Sequence, residues 1–190
     1  FQTYMDALAE HRDTMSPEQA VAAYFQAGSI KQQTGQPDAA RQMFLNALEI
    51  DAVHEPSLRE LLTIVEASGD KTAIVDVKER LLATVTDEGE RFTQYVELGD
   101  MKLALDDAVA AEECYREAVK LDPASKVVLH KLLNIFTDTG NWKRATEVLG
   151  QLATMEDDVE RLAKLCFTIA AIFRDELGEM DRAVEFFNQV

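Results

Sequence analysis

Proline, glycine, cysteine and positive charge are all scarce in this chain of 190 residues, and no long apolar run is present. Only four prolines and eight glycines interrupt it, while 47% of its residues are apolar. That composition argues against disorder and suits a packed helical array. Its two cysteines, Cys114 and Cys166, fall on apolar helix faces and form neither a CxxC motif nor a disulfide framework, so they read as buried reduced thiols. Nineteen basic residues stand against 35 acidic ones, for a net charge of −16. Such a chain repels nucleic acid and anionic lipid, and no basic stripe compensates, which leaves basic or neutral protein partners. Nothing approaches the roughly 18 apolar residues of a membrane span, so the segment reads as soluble, with the cytoplasm the compartment it leans to. A glycine-rich phosphate loop, a nucleophile elbow and an HExxH pair are all missing, and the three histidines lie far apart in sequence. No catalytic, cofactor or metal site is therefore expected.

What is present centres on residues 92–125, FTQYVELGDMKLALDDAVAAEECYREAVKLDPAS. Tyr95, Leu98 and Gly99 recur at i, i+3, i+4, and Ala111, Tyr115 and Ala118 at i, i+4, i+7, each set forming one stripe of a 3.6-residue helix. Asp106 and Asp107 separate the two stripes, and Pro123 closes the second. Gly99 and Ala111 stand where two helix backbones must approach, with Tyr95 and Tyr115 filling the space beside them. This pattern resembles the tetratricopeptide repeat, a helix–turn–helix unit of about 34 residues that stacks on its neighbours to bury its apolar faces.

On the same register the template fits five times, beginning at Val21, Glu55, Phe92, Lys126 and Lys164. Template position eight reads Gly28, Leu62, Gly99, Leu133, Ala171; position twenty reads Ala40, Ile74, Ala111, Ala145, Ala183; position twenty-four reads Phe44, Lys78, Tyr115, Leu149, Phe187. Position fifteen, where a helix end needs a left-handed residue, carries Gly35, Gly69, Gly140 and Gly178, with Asp106 the one exception. The starts lie 34, 37, 34 and 38 residues apart, so alternate repeats carry about one extra helical turn. Ser16-Pro17-Glu18-Gln19 marks where the first extra turn begins, and Asp87 and Asp157-Asp158 offer comparable caps. The even repeats match each other at an offset of 71, SLRELLTIVEASGD against VLHKLLNIFTDTGN. The second repeat departs furthest, through Ile74 and Lys78, and its second helix is expected to pack least tightly. Residues 1–15, Phe1 to His11 above all, read as a partial leading helix from an earlier repeat, and the fifth repeat reads as truncated at Val190. The expected fold is therefore all-α, a right-handed α-solenoid of such repeats in one array over 1–190, a fragment of a longer one.

The resemblance implies a concave groove lined by the first helix of each repeat. The residues it places there are Phe25, Arg59, Val96, Asp100, His130, Asn134, Asp138, Thr168 and Ile172. His130, Asn134 and Asp138 share one face at i, i+4, i+8, which superficially resembles a metal half-site, but Asn is a poor transition-metal ligand and the face reads as polar groove surface. Lys31, Lys102 and Arg174 occupy position eleven of the long repeats; their stems should cover the helix seam, and a basic row that binds an acidic ligand is the alternative. Glu112-Glu113 and Asp106-Asp107 read as solvated surface, since adjacent helical residues do not face each other. The clamp with which some relatives hold a C-terminal carboxylate is not expected, because Leu165, Thr168 and Ile172 stand where the fifth repeat would need bases. The function implied is a non-catalytic scaffold binding a protein or peptide, basic and apolar in character. The alternative is a structural or self-assembling spacer within a larger protein.

Overall fold

A computed structural model describes residues 15–188, and the described residues form ten helices. Residues 1–14 of the expected leading helix, and Val190, lie outside them. The helices pair in order: α1 (Pro17–Gln33) with α2 (Pro37–Ile50), α3 (Glu55–Ser68) with α4 (Lys71–Leu82), α5 (Glu88–Leu103) with α6 (Ala108–Leu121). The last two pairs are α7 (Lys126–Asp138) with α8 (Trp142–Thr154) and α9 (Val159–Asp175) with α10 (Met180–Phe187). No strand occurs among the described residues. The chain divides into two compact units at residues 94 and 95, within α5. In the first unit α1 packs on α2, α2 on α3 and α3 on α4; in the second the same succession runs from α6 to α10.

The alternation read from the spacing is a difference in helix length. The first helices of the odd repeats, α1, α5 and α9, have 17, 16 and 17 residues, and those of the even repeats, α3 and α7, have 14 and 13. The extra turns start where the caps were expected. Ser16 closes a reciprocal capping box with Gln19, the Gln19 N–H donating to Ser16 Oγ at 3.3 Å and the Ser16 N–H to Gln19 Oε1 at 3.1 Å. Asp87 accepts from the Glu90 N–H at 2.8 Å, and Asp158 from the Arg161 N–H at 2.9 Å.

In the first and third repeats, positions eight and twenty-four fill one space between them. A Cβ built on Gly28 would lie 2.5 Å from Phe44 Cε1, and one on Gly99 would lie 2.7 Å from Tyr115 Cδ1. Phe44 and Tyr115 are themselves fully buried. Where position eight grows to Leu62 or Leu133, position twenty-four loses its ring and becomes Lys78 or Leu149. The first and third repeats thus set a ring on the second helix against a glycine on the first, and the even repeats set a leucine on the first helix. Position twenty is fully buried at Ala40, Ala111, Ala145 and Ala183 but only half-buried at Ile74. Ile74 still packs against the core cluster of Phe44, Leu58 and Leu61. The buried residues of α4 are Val75, Val77 and Leu82.

The fifteenth position takes the left-handed conformation in every repeat. Gly35, Gly69, Gly140 and Gly178 have φ between 68° and 72°, and Asp106 adopts φ 61° as the only non-glycine residue with positive φ among those described. An L-residue is strained there, and Asp is among the few that tolerate it. Both cysteines are buried and reduced.

Candidate functional site

The nine expected groove residues fall into several environments. In the first unit Phe25 is half-buried on α1, its ring 5.8 Å from that of Phe44 and 5.6 Å, edge-on, from His54. It packs partly against the core of the first unit. Arg59 is exposed on α3 and pairs with Glu55 one turn back, 2.6 Å from Nη2 to Oε1. Between the start of α1 and the end of α2 lies a cavity of about 330 Å³ whose lining includes Glu18, Val21, Ile50, Asp51 and His54.

In the second unit Val96 and Ile172 are half-buried, Ile172 against the Leu149–Ile169–Phe173 cluster. Asp100 is tied into the structure. Its Oδ1 accepts the Tyr115 hydroxyl at 2.6 Å and the Lys131 ammonium at 2.5 Å, while Lys131 Nζ also stands 5.7 Å from the centre of the Tyr115 ring. Burial, then the carboxylate bonded to its hydroxyl, push the Tyr115 phenol far above its usual range, since ionising it would place two anions in contact.

His130, Asn134 and Asp138 are exposed along one face of α7, as the spacing requires. Thr168 is exposed on α9, its hydroxyl donating to the Lys164 carbonyl at 2.8 Å. His130 and Thr168 occupy the same template position in successive repeats, and both line one cavity of about 260 Å³. Leu152 and Leu165 supply its apolar surface; Lys126, Glu156, Arg161 and Lys164 supply its charge. Sequence reasoning missed these bases because it sought them at the groove positions of the fifth repeat. Lys126 and Lys164 stand at position one, and Arg161 stands in the extra turn before it.

Other charges have definite partners as well. Glu112, expected to be solvated, is only 18% exposed and is a correction: it pairs with Arg144 of the next second helix, with Arg116 at 3.8 Å. Its signal was the opposite charge carried one repeat further on. Glu113 is exposed as expected, and Asp107 caps α6, accepting from the Ala110 N–H at 3.0 Å. Lys31 Nζ donates to Gln36 Oε1 at 2.8 Å. Arg174 grips Asp175 through two bonds of 2.7 and 2.8 Å, which hold that carboxyl below the usual carboxylate range. The same arginine lies 5.9 Å over the Phe187 ring, so its stem and charge both serve the seam. Among the described residues no three His, Cys, Asp or Glu side chains cluster as metal ligands would, and no helix is long and apolar enough to cross a membrane.

A family model described as Tetratricopeptide repeat matches residues 21–54 and 95–125. No curated protein matches the chain. Among solved structures, MamA is 18% identical over 89% of this chain and 88% of its own, with a TM-score of 0.45. YrrB, described as a TPR protein with an unusual peptide-binding site, is 14% identical over 98% of this chain and 89% of its own, at 0.44. A structure of Naa15/Naa10 bound to HypK-THB is 12% identical, covers 89% of this chain and 24% of that one, and reaches a TM-score of 0.56. At 12% identity the likeness to the Naa15/Naa10 structure is one of fold. The five helix pairs and the two matched segments make the fold class all-α, built of tetratricopeptide-type helix pairs.

Proposed function

We propose that the chain, whose matched segments are tetratricopeptide repeats, is a non-catalytic scaffold holding a partner peptide or protein segment against the first helices of its repeats. The observation that carries this reading is the meeting of His130 and Thr168 in one cavity beside Leu152 and Leu165. Residues chosen only for their template position share a concave surface with apolar floor and polar rim, the composition of a binding pocket.

The segment we propose is basic and apolar for most of its length. Asn134 and Asp138 continue the exposed face of α7, and the cavity of the first unit sets Glu18 and Asp51 beside Val21 and Ile50. Lysines spaced among leucines complement such surfaces, the charge acting mainly on the association rate and the apolar contacts on residence. A labelled peptide of that composition, titrated by fluorescence anisotropy, tests the proposal. Asp138→Lys should weaken its capture, more at low salt than at high salt. Equal binding to the parent and to Asp138→Lys at low salt would reject it.

A self-assembling spacer is the second reading, favoured by apolar side chains left in solvent on α9 and α10: Phe167 is 56% exposed, Met180 57% and Val184 50%. Sedimentation across a concentration series separates the two, a persistent dimer lost on Phe167→Ser supporting self-assembly.

A further inference from the structure

The cavity between α7, α8 and α9 carries an inference that rests on the partner-binding reading and sharpens it. Its lining sets the cations of Lys126, Arg161 and Lys164, together with the His130 ring, against the single carboxylate of Glu156. This happens in a chain whose acids outnumber its bases 35 to 19. Of the acids close by, Asp157 is exposed to solvent and the other three are engaged. Glu156 pairs with Lys126 at 3.6 Å, Glu160 with Lys164 at 2.6 Å, and Asp158 is the cap of α9. The Arg161 guanidinium has no ion-pair partner among the described residues.

Packing does not demand these bases. At the places of Arg161 and Lys164, the other two long helices carry Glu18 and Val21, or Gly89 and Phe92. Helix stability does not demand Lys126 either. α7 has Lys126 in its first turn and ends on Asp138, with no acid at its start and no base at its end, the reverse of what the helix dipole favours. Charges placed against local preference are where function is to be sought.

We propose that this cavity receives an anionic side chain of the bound partner segment, with the neighbouring apolar side chain seated on Leu152 and Leu165. Arg161 offers a planar fork to two anion oxygens, His130 donates a ring N–H, and Lys126 and Lys164 add unforked charge. The partner segment is then not uniformly basic but carries one acid that fixes its register. A carboxylate and a phosphoryl group share this chemistry.

The test uses the full chain and three dipeptides blocked at both ends, glutamyl-leucine, glutaminyl-leucine and phosphoseryl-leucine, followed by amide NMR. Glutamyl-leucine or phosphoseryl-leucine should shift the amides of 126–130 and 161–168, and the tighter of the two identifies the source of the anion. Glutaminyl-leucine should shift them far less. Arg161→Gln, and separately Lys164→Gln, should weaken the anionic dipeptide by about two- to five-fold, the range for an exposed ion pair, and by less at high salt. Both sites are exposed, so circular dichroism should stay unchanged. Neither substitution should reduce capture of the lysine–leucine peptide, which depends on Asp138; loss of that peptide alone therefore counts against the basic-partner reading and leaves this one standing. Equal binding of the glutamine dipeptide, shifts confined to other residues, or unchanged affinity in both variants overturns the proposal.

Discussion

Replacing Gly99 tests the packing most directly. A Cβ there would sit 2.7 Å from Tyr115 Cδ1 and 2.9 Å from Cζ, closer than real carbon contacts allow. The ring has little freedom to retreat, because Tyr115 is fully buried and its hydroxyl is bonded to Asp100 at 2.6 Å. Forcing a methyl into such a space costs about 1–3 kcal/mol, while exchanging glycine for alanine in a helix returns nearly 1. Gly99→Ala should therefore lose about 1 kcal/mol net, and Gly99→Leu about 3 kcal/mol or more. Gly150 is the control: it lies within α8, and a Cβ there would meet no atom within 4 Å. Gly150→Ala should gain about 0.5–1 kcal/mol from helix propensity alone. Urea denaturation of the three variants and of Gly99→Ala/Tyr115→Leu reads the outcome, the double variant being less destabilised than the sum of its parts. If Gly99→Leu proved as stable as the parent, or if the two alanine variants moved together, the proposed crossing of α5 and α6 would be wrong.

Asp106→Gly should stabilise the chain by about 0.5–1 kcal/mol, because it removes an L-residue from φ 61° at the turn before α6; a lower urea midpoint would show that the Asp side chain has a role of its own. Tyr115 should ionise above the ordinary phenol range in an alkaline titration followed by phenolate absorbance, since its pKa is raised in the fold. Its contribution to stability is complete below the ordinary phenol value of about 10 and lost as pH climbs through the raised one, so Tyr115→Phe should flatten the alkaline fall in stability. Glu112→Gln should cost about 1 kcal/mol by loosening Arg144 and Arg116, with a smaller loss in concentrated salt; no salt dependence would rule out the ion pair as the cause.

Most of the fold was legible because it is carried by residues that answer to a partner at fixed spacing. Gly99 and Tyr115 are sixteen positions apart, as are Gly28 and Phe44. Capping chemistry is equally local, so Ser16, Asp87 and Asp158 announce the long helices by themselves. The site was less legible because a template assigns a side chain to a face without saying which neighbour will claim it. Ile172 and Phe25 went partly to the core, Arg59 to Glu55, and Glu112 to a base 32 positions onward. Arg161 was invisible for the opposite reason: it lies outside the 34-residue template, on a turn that only alternate repeats possess.

Asp100 shows why that distinction governs how the surface must be probed. By template position it belongs to the binding face, and by charge it suits a basic partner. Yet its carboxylate already accepts a buried hydroxyl and an ammonium, at 2.6 and 2.5 Å. Reversing it to lysine would set two ammonium groups together and leave the Tyr115 hydroxyl without its acceptor, at a cost typical of a broken, partly buried polar network of about 1–3 kcal/mol. Binding lost in an Asp100→Lys variant would therefore report unfolding as readily as recognition. Asp138 shares the sign of charge and the exposed face but has no ion-pair partner among the described residues. Its reversal should leave the urea midpoint within about 0.5 kcal/mol of the parent, the ordinary range for a surface substitution. Asp138→Lys is thus the variant in which a loss of partner can be assigned to the surface, and Asp100→Asn the one in which a loss of stability should come without it. If Asp100→Asn released the lysine–leucine peptide while remaining as stable as the parent, Asp100 would be a contact for the partner and not a brace for Tyr115.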